Sequence, residues 1–227
     1  MFWFMEDITT LSLMVISIII TLAAQSYVSN SYRKYKRIKT KSNLSGAETA
    51  RKILDNNGLE NVHVVETKGM LSDHYDPKRK VVRLSSDIFH KENIASVAVA
   101  AHEVGHAIQD KVGYNFMKIR SILVPIVNVG SNLGYGAIFI GFIMGLSDLV
   151  WVGIVMLMIL LFFQLITLPV ELDASRRANI ELNKIIDKKE IKMTKSMLNA
   201  AAMTYVAALA TTLLQILRLI LMANRRD

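Results

Sequence analysis

Cysteine is absent from this chain of 227 residues. Its absence excludes disulfide bonds, thiolate metal sites and cysteine nucleophiles, so any metal or catalytic site must use other side chains. The sequence also lacks internal repeats and low-complexity tracts. Apolar residues, in contrast, make up 52% of the chain, which is more than an ordinary soluble domain contains.

Charge is absent from four long stretches, each with the roughly 17 to 25 residues that cross a hydrocarbon core as a helix. They are Ile8–Val28, Ile122–Leu146, Leu149–Leu168 and Leu198–Leu217. The sequence therefore predicts a mainly α, multi-pass membrane protein with about four transmembrane helices and a small α+β water-facing domain. A large soluble enzyme is excluded because too little chain remains to build one. The fourth stretch is rich in Ala and Thr and is followed by Arg218, so an interfacial or re-entrant helix is the alternative there.

Acidic residues are absent from positions 29–41, which contain six basic residues: Arg33, Lys34, Lys36, Arg37, Lys39 and Lys41. The segment before the first apolar stretch has the opposite charge: it contains Glu6 and Asp7 and no Lys or Arg. The positive-inside rule then places the N-terminus outside and residue 29 onward in the cytoplasm, and these flanks favour a permanent anchor over a cleaved signal peptide. We expect an integral protein of the plasma or inner membrane.

The net charge of +8 has two other interpretations. The basic run at 29–41 could attract anionic lipid headgroups, which makes the bilayer a partner as well as a solvent. A nucleic-acid partner is not expected, because the sequence shows no basic surface interleaved with aromatic residues.

Five regions follow from this topology. The second and third apolar stretches cross out and back, so the chain after them returns to the cytoplasmic side, and the fourth would leave Arg225 and Arg226 outside. The predicted regions are an N-terminal anchor at 1–28, a cytoplasmic domain at 29–121, a helical hairpin at 122–168, a cytoplasmic segment at 169–197, and a fourth transmembrane or interfacial helix with its tail at 198–227.

The cytoplasmic domain reads as helix, strand, hairpin, helix. Ser45 and Glu48 have capping-box spacing at the start of a short helix, and Asn93 can cap a later one that stops at Gly113. The β-branched residues and the turn at Asp76–Arg79 predict the strands between them. The predicted elements are a helix at Gly46–Asn56, a strand at Val62–Glu66, a hairpin at Met70–Leu84 and a helix from Asn93 to about Val112.

The last of these helices carries an HExxH motif at 102–106. His102 and His106 lie one turn apart on the same face, so both imidazoles can reach one tetrahedral Zn²⁺. Glu103 is about 100° around the helix, beside the metal, where it can take a proton from zinc-bound water. Mostly apolar residues flank the motif, and three polar side chains in such surroundings are costly unless they have a partner such as a metal. The pattern predicts a zinc site.

A catalytic zinc needs a third protein ligand and an open position for water. No histidine follows at the metzincin spacing, and His63, His74 and His90 all precede the helix. Glu171 emerges from the third apolar stretch on the same predicted side as His102, where an acid is costly without a partner. Glu171 is therefore the favoured third ligand, and Asp173 is the alternative, with a supporting role otherwise.

The motifs also resemble a known family. HEVGH at 102–106, an apolar helical hairpin and then ELDAS at 171–175 resemble the layout of gluzincin-type integral membrane metallopeptidases. SDHYDP at 72–77 and VAVAAHEVGHAIQ at 97–109 more closely resemble the YugP-like neutral zinc membrane metallopeptidases, and the resemblance covers nearly the whole chain. It implies a zincin-like domain, zinc ligation by His102 and His106, Glu103 as the base, and Glu171 as third ligand.

One position departs from the family pattern. Related membrane enzymes carry Glu-x-x-x-Asp, in which the Asp braces a ligand histidine, and Ser175 stands at that position here. Asp173 or Asp76 are the candidates to replace the missing carboxylate.

Other side chains carry weaker signals. His74 and Tyr75 lie in the hairpin before the zinc helix, where they could stabilise the oxyanion on the scissile carbonyl, or simply form a polar hairpin tip. The hairpin edge could also pair with an extended substrate. Arg176 and Arg177 are interpreted as topology anchors rather than substrate clamps. Two GxxxG motifs, at 130–134 and 141–145, predict close packing between the second and third apolar helices, with a homo-oligomer or another membrane protein as alternative partner.

The leading hypothesis is a zinc-dependent membrane endopeptidase that hydrolyses peptide bonds of unfolded or membrane-proximal proteins at a cytoplasmic site. Hydrolysis of a non-peptide amide or a lipid-linked substrate is a close variant. The alternative is a non-catalytic membrane scaffold or binding protein that zinc stabilises. Structural zinc sites are closed by four protein ligands, and the sequence offers three good ligands and no cysteine, which favours catalysis.

Overall fold

The computed structural model describes residues 7–69 and 71–224. This part of the chain contains seven helices and three short strands, so the predicted mainly α class with a small sheet is confirmed. The helices are α1 (Ile8–Lys36), α2 (Gly46–Asn56), α3 (Ser86–His90), α4 (Ile94–Lys111), α5 (Asn115–Met144), α6 (Ser147–Leu182) and α7 (Lys188–Ala223). The strands are β1 (His63–Thr67), β2 (His74–Asp76) and β3 (Val81–Ser85).

Four of the described helices, α1, α5, α6 and α7, are long and apolar enough to cross a membrane. Helices α1, α6 and α7 extend beyond the uncharged stretches that predicted them, whereas α5 begins seven residues before its stretch and ends at Met144, two residues before Leu146. The third uncharged stretch, which ends at Leu168, lies within α6, and this helix continues through Pro169 to Leu182. A proline removes one backbone hydrogen bond and can bend a helix without ending it. Arg225 and Arg226, predicted to lie outside, and Glu6 fall outside the described residues.

The chain forms two compact units. The membrane unit comprises the chain up to Gln25, Ile119–Leu168 and the chain from Thr204 onward. The site unit comprises Ser26–Lys118 and Pro169–Met203. The HExxH motif and the ELDAS segment therefore belong to the same unit, although about 70 positions separate them in the sequence.

The site unit contains a three-stranded sheet in the order β1-β3-β2, with β1 parallel and β2 antiparallel to β3. The predicted capping box is present at the start of α2, and the Asn93 side chain accepts a hydrogen bond from the Ser96 backbone at the start of α4. The predicted hairpin is confirmed between β2 and β3, but its first strand has only three residues. Met70, its predicted first residue, lies outside the described residues. Helix α3 was not predicted, since its five residues are too few to show a period.

The basic run after the first apolar stretch is partly neutralised inside the site unit. Lys36 pairs with Asp87, Lys39 with Glu92, and Lys41 with Asp187. Exposed pairs of this kind contribute little stability, about 0–1 kcal/mol each. They do reduce the positive charge that the run can present to anionic lipid.

Glycines set the packing between α5 and α6 in the membrane unit. A Cβ at Gly153 would lie 2.5 Å from Cγ1 of Ile138 and 2.7 Å from the carbonyl oxygen of Gly134. A Cβ at Gly141 would lie 2.7 Å from Val150. The close packing predicted from the two GxxxG motifs is thus present at Gly134 and Gly141. On α6, Gly134 faces Gly153, a glycine outside both motifs, and Gly141 faces Val150. Gly130, in contrast, has no atom within 4 Å of its would-be Cβ.

Replacing Gly153 by alanine should therefore destabilise the protein, by roughly 1–3 kcal/mol, because the added methyl group overpacks the helix pair. The matched control is Gly130→Ala, which adds the same methyl group in open space. It should leave stability unchanged or raise it by about 0.5–1 kcal/mol through helix propensity. Thermal unfolding of the detergent-solubilised protein measures both. Equal effects of the two substitutions would contradict the role of the close contact.

Candidate metal centre

The HExxH motif of α4 lies among residues of the hydrophobic core of the site unit. Asn93 caps the helix and Gly113, with φ +66°, follows its last turn, where a left-handed residue ends a helix most easily. The neighbouring Ala101, Val104 and Ala107 are fully or almost fully buried. The polar side chains of the motif are therefore held in apolar surroundings, where unpartnered polar groups are costly.

Both histidines of the motif point their Nε2 atoms at one carboxylate. Glu171 Oε2 lies 3.1 Å from His102 Nε2 and 3.6 Å from His106 Nε2. One ligand atom from each of the three residues lies within 4.8 Å of the other two. Only 3% of the Glu171 side chain is exposed. Among the described residues, these three side chains are the only group of at least three of ligand type that converges in this way.

The donor set fits Zn²⁺. Two imidazole nitrogens and one carboxylate oxygen are the ligands that catalytic zinc sites use, and three protein ligands leave a fourth position for water. Ca²⁺ and Mg²⁺ prefer sites built only from oxygen atoms. The three predicted ligands are thus placed together, and their assignment to zinc stays a prediction.

The Nδ1 atoms of the two rings are also occupied, which orients the rings. His102 Nδ1 lies 3.1 Å from Ser175 Oγ, and His106 Nδ1 lies 3.0 Å from Gln109 Oε1. When Nδ1 donates its proton to such a partner, the lone pair is on Nε2, where a metal can use it. Ser175 therefore contacts the predicted ligand His102 itself, at the position where the family resemblance implied an aspartate.

Asp173 and Asp76, the predicted replacements for that aspartate, have other contacts. Asp173 accepts hydrogen bonds from Arg176, Arg177 and Gln109. It is not among the three converging ligand groups, and its link to the site runs through Gln109. Asp76 accepts from backbone N–H groups in the hairpin turn.

The electrostatics of the centre favour a cation. Burial lowers the pKa of His106, but the hydrogen bond to Glu171 and the negative charge of Glu171 raise it, with a smaller contribution from Glu103. The net pKa of His106 lies above its ordinary value. The carboxylates therefore stabilise positive charge at this ring, and a bound metal would replace a proton there.

Glu103 is also buried, at 8% exposure. Its charge acts on His106, so its carboxylate lies within electrostatic reach of the centre. The predicted role of Glu103, as a base beside the metal rather than a ligand, stays a prediction.

The predicted oxyanion residues lie on β2. The Tyr75 side chain is buried and its hydroxyl donates to Asp110 Oδ2 at 2.8 Å, while His74 is exposed with Nδ1 2.7 Å from the Ser72 carbonyl oxygen. Burial and the bond to Asp110 raise the pKa of Tyr75, so the phenol stays protonated at neutral pH. Neither side chain belongs to the converging group, and their role stays a prediction.

Sequence reasoning missed the contact on which the ligand geometry depends. A Cβ at Gly105 would lie 2.5 Å from the carbonyl oxygen of Ala174, so α4 and α6 approach each other at backbone distance. The glycine inside HEVGH was the available signal, because glycine permits close backbone approach. Gln109 was also missed, although it lies one turn beyond His106 and is fully buried.

We expect Gly105→Ala to separate the two helices and weaken zinc binding, because the new methyl group occupies the space of the Ala174 carbonyl. The control is Ala101→Gly in the same helix, which lowers helix propensity by about 1 kcal/mol but adds no atom. Zinc content after purification and dialysis against a weak chelator measures the difference. Full zinc retention by Gly105→Ala would show that the close approach is dispensable.

Comparisons with known proteins show the family of this chain. Residues 10–224 match the family described as "Putative neutral zinc metallopeptidase". The chain is 42% identical over 207 residues to "Putative membrane protease YugP" of Bacillus subtilis (strain 168), covering 90% of this chain and 92% of that protein. No solved structure matches. The chain belongs to the neutral zinc metallopeptidase family.

Proposed function

We propose that the protein is a membrane-bound zinc endopeptidase that cleaves unfolded or membrane-proximal proteins. The observation that carries the proposal is the convergence of His102 Nε2, His106 Nε2 and one oxygen of Glu171, next to a buried Glu103. The family assignment supports zinc peptidase chemistry, and the four apolar helices support a bilayer around the protein.

A zinc ion held by His102, His106 and Glu171 would supply a water whose pKa is lowered to about 7 and would polarise the scissile carbonyl. Glu103 accepts the proton of the attacking water and later donates it to the departing amine. Only 8% of Glu103 is exposed, so burial limits competition from bulk water for this carboxylate. Ser175 and Gln109 keep the imidazoles in the required orientation through their contacts at Nδ1.

We further propose that His74 and Tyr75 stabilise negative charge on the substrate carbonyl. Their place on β2, an edge strand of the sheet, supports this role, since an extended peptide can add to such an edge. The hydroxyl of Tyr75 would then exchange its bond to Asp110 for one to substrate. Tyr75→Phe and His74→Ala should each lower kcat with little change in zinc content, and the absence of any kcat effect would remove them from the mechanism.

The decisive comparison is Glu103→Gln against the unsubstituted protein. Glutamine keeps the size of the side chain but cannot accept the proton, so we expect full zinc content and a loss of activity of about 10²–10⁴-fold. Zinc analysis and cleavage of an unfolded protein by the detergent-purified chain measure the two quantities. Glu171→Ala is the control for ligation, and it should lose zinc and activity together.

Equal cleavage by Glu103→Gln and the unsubstituted protein would rule out the proposed mechanism. If zinc binds but neither protein cleaves peptides, amides or lipid-linked substrates, the non-catalytic scaffold becomes the better interpretation.

We also propose that the site unit faces the cytoplasm of a cell bounded by a plasma or inner membrane. The basic residues after the first apolar stretch support this orientation. The proposed regions are the anchor at 1–28, the cytoplasmic domain at 29–121, the hairpin at 122–168, the ligand-bearing segment at 169–197, and the last membrane helix with its tail at 198–227.

Because the native chain has no cysteine, single introduced cysteines report this orientation directly. Lys52→Cys in the site unit should react with a membrane-impermeant maleimide only after the cells are permeabilised. Leu146→Cys, between α5 and α6, should react in intact cells. The opposite pattern of labelling would place the site unit outside.

A further inference from the structure

Gln109 is a fully buried side chain whose polar groups are all engaged. Its Oε1 accepts a hydrogen bond from His106 Nδ1 at 3.0 Å, and its Nε2 donates to the Val170 carbonyl oxygen at 2.8 Å and to Asp173 Oδ2 at 3.0 Å. An amide has one acceptor oxygen and two N–H donors. Here the oxygen and both donors have partners, which is the condition under which a buried polar group ceases to be costly.

We propose that Gln109 is the positioning residue for the metal centre, and that Asp173 acts on the centre through it. The bond from His106 Nδ1 leaves Nε2 of that ring to the metal. The bond to Val170 attaches the same side chain to the backbone directly beside Glu171. One amide therefore orients a ligand on α4 and holds the neighbouring ligand on α6.

Asp173 places a negative charge at the end of the hydrogen-bonded chain that runs from His106 through Gln109. Its Oδ2 accepts from Arg177 Nε at 2.6 Å and its Oδ1 from Arg176 at 2.6 Å, and only 11% of its side chain is exposed. The two guanidinium groups fix the carboxylate, and the carboxylate polarises the N–H groups of Gln109. Charge-assisted bonds of this type are stronger than neutral ones. Asp173 thus supports His106 without touching it.

The two ligand histidines are consequently held in different ways. His102 Nδ1 is hydrogen-bonded to the neutral hydroxyl of Ser175. His106 Nδ1 is hydrogen-bonded to the amide of Gln109, which in turn donates to the charged carboxylate of Asp173. The centre should depend more strongly on Gln109 than on Ser175. This inference rests on the zinc site of the proposed function but not on peptide hydrolysis, because it concerns the affinity for the metal.

The test is zinc affinity of the full chain in detergent, measured by competition with a chromophoric chelator. Gln109→Met, of similar length but without polar atoms, should weaken zinc binding by about 10–100-fold. Ser175→Ala should weaken it less. The matched control is Ser96→Ala, which removes another fully buried hydrogen-bonding group from α4, the one that bonds Asp87, and should leave zinc affinity unchanged.

Exchanging the amide of Gln109 and the carboxylate of Asp173 distinguishes a positioning role of Gln109 from a general effect of core packing. Gln109→Glu keeps an acceptor for His106 but brings a second carboxylate against Asp173, so it should bind zinc more weakly than the unsubstituted chain. The double variant Gln109→Glu with Asp173→Asn restores a donor facing that carboxylate and should recover at least 3-fold in affinity, roughly the size of one neutral hydrogen bond. Size-exclusion chromatography shows which variants fold.

Each result is decisive. An unchanged zinc affinity in folded Gln109→Met, or a loss no greater than that of Ser96→Ala, overturns the proposal. If Gln109→Met does not fold, the comparison of Gln109→Glu with the double variant tests the proposal instead. A double variant that recovers no zinc affinity overturns the proposal. A chain that binds zinc normally but hydrolyses nothing contradicts the proposed function and leaves the positioning role intact. A chain that binds no zinc overturns both.

Discussion

The convergence of His102, His106 and Glu171 depends on the backbone contact between α4 and α6 at Gly105 and Ala174. With a Cβ at position 105 only 2.5 Å from the Ala174 carbonyl oxygen, no other residue fits there without moving one helix. Because the helices meet at this distance, a short carboxylate side chain on α6 reaches both imidazoles on α4. Ser175, one turn after Glu171, then meets the far nitrogen of His102. The ligands and their supports follow from one close approach.

The burial of this centre turns its polar groups into a connected network. Glu171 lies between two histidines, the histidines contact Ser175 and Gln109, and Gln109 contacts Asp173, which two arginines hold. In a low-dielectric interior each of these groups would be costly alone. Together these side chains partner one another, while the apolar residues of α4 pack into the core of the site unit. The arginines, interpreted from the sequence as topology anchors, are therefore also part of the support for the site.

Much of the local structure could be predicted because it depends on neighbours in sequence. The capping box at Ser45, the cap at Asn93 and the helical placement of HExxH depend on spacings of three or four residues. The apolar stretches gave four helices because length and hydropathy suffice for that inference. The same local rules did not indicate the short α3 or the continuation of α6 past Pro169. The parallel pairing of β1 with β3 depends on packing across the chain, and no local pattern specified it.

The sequence by itself determined the chemistry of the candidate site. Two histidines one turn apart, a glutamate beside them and a glutamate after an apolar hairpin already limit the metal and the reaction, because side-chain type sets ligand preference. Only the tertiary structure decided the geometry. It placed Glu171 rather than Asp173 among the converging groups. It also showed that Ser175 is hydrogen-bonded to His102, and that Gln109 bridges His106 and Asp173. The contacts between α4 and α6 join residues about 60 to 70 positions apart, and their distances are set by how the two helices pack, which no spacing along the chain encodes.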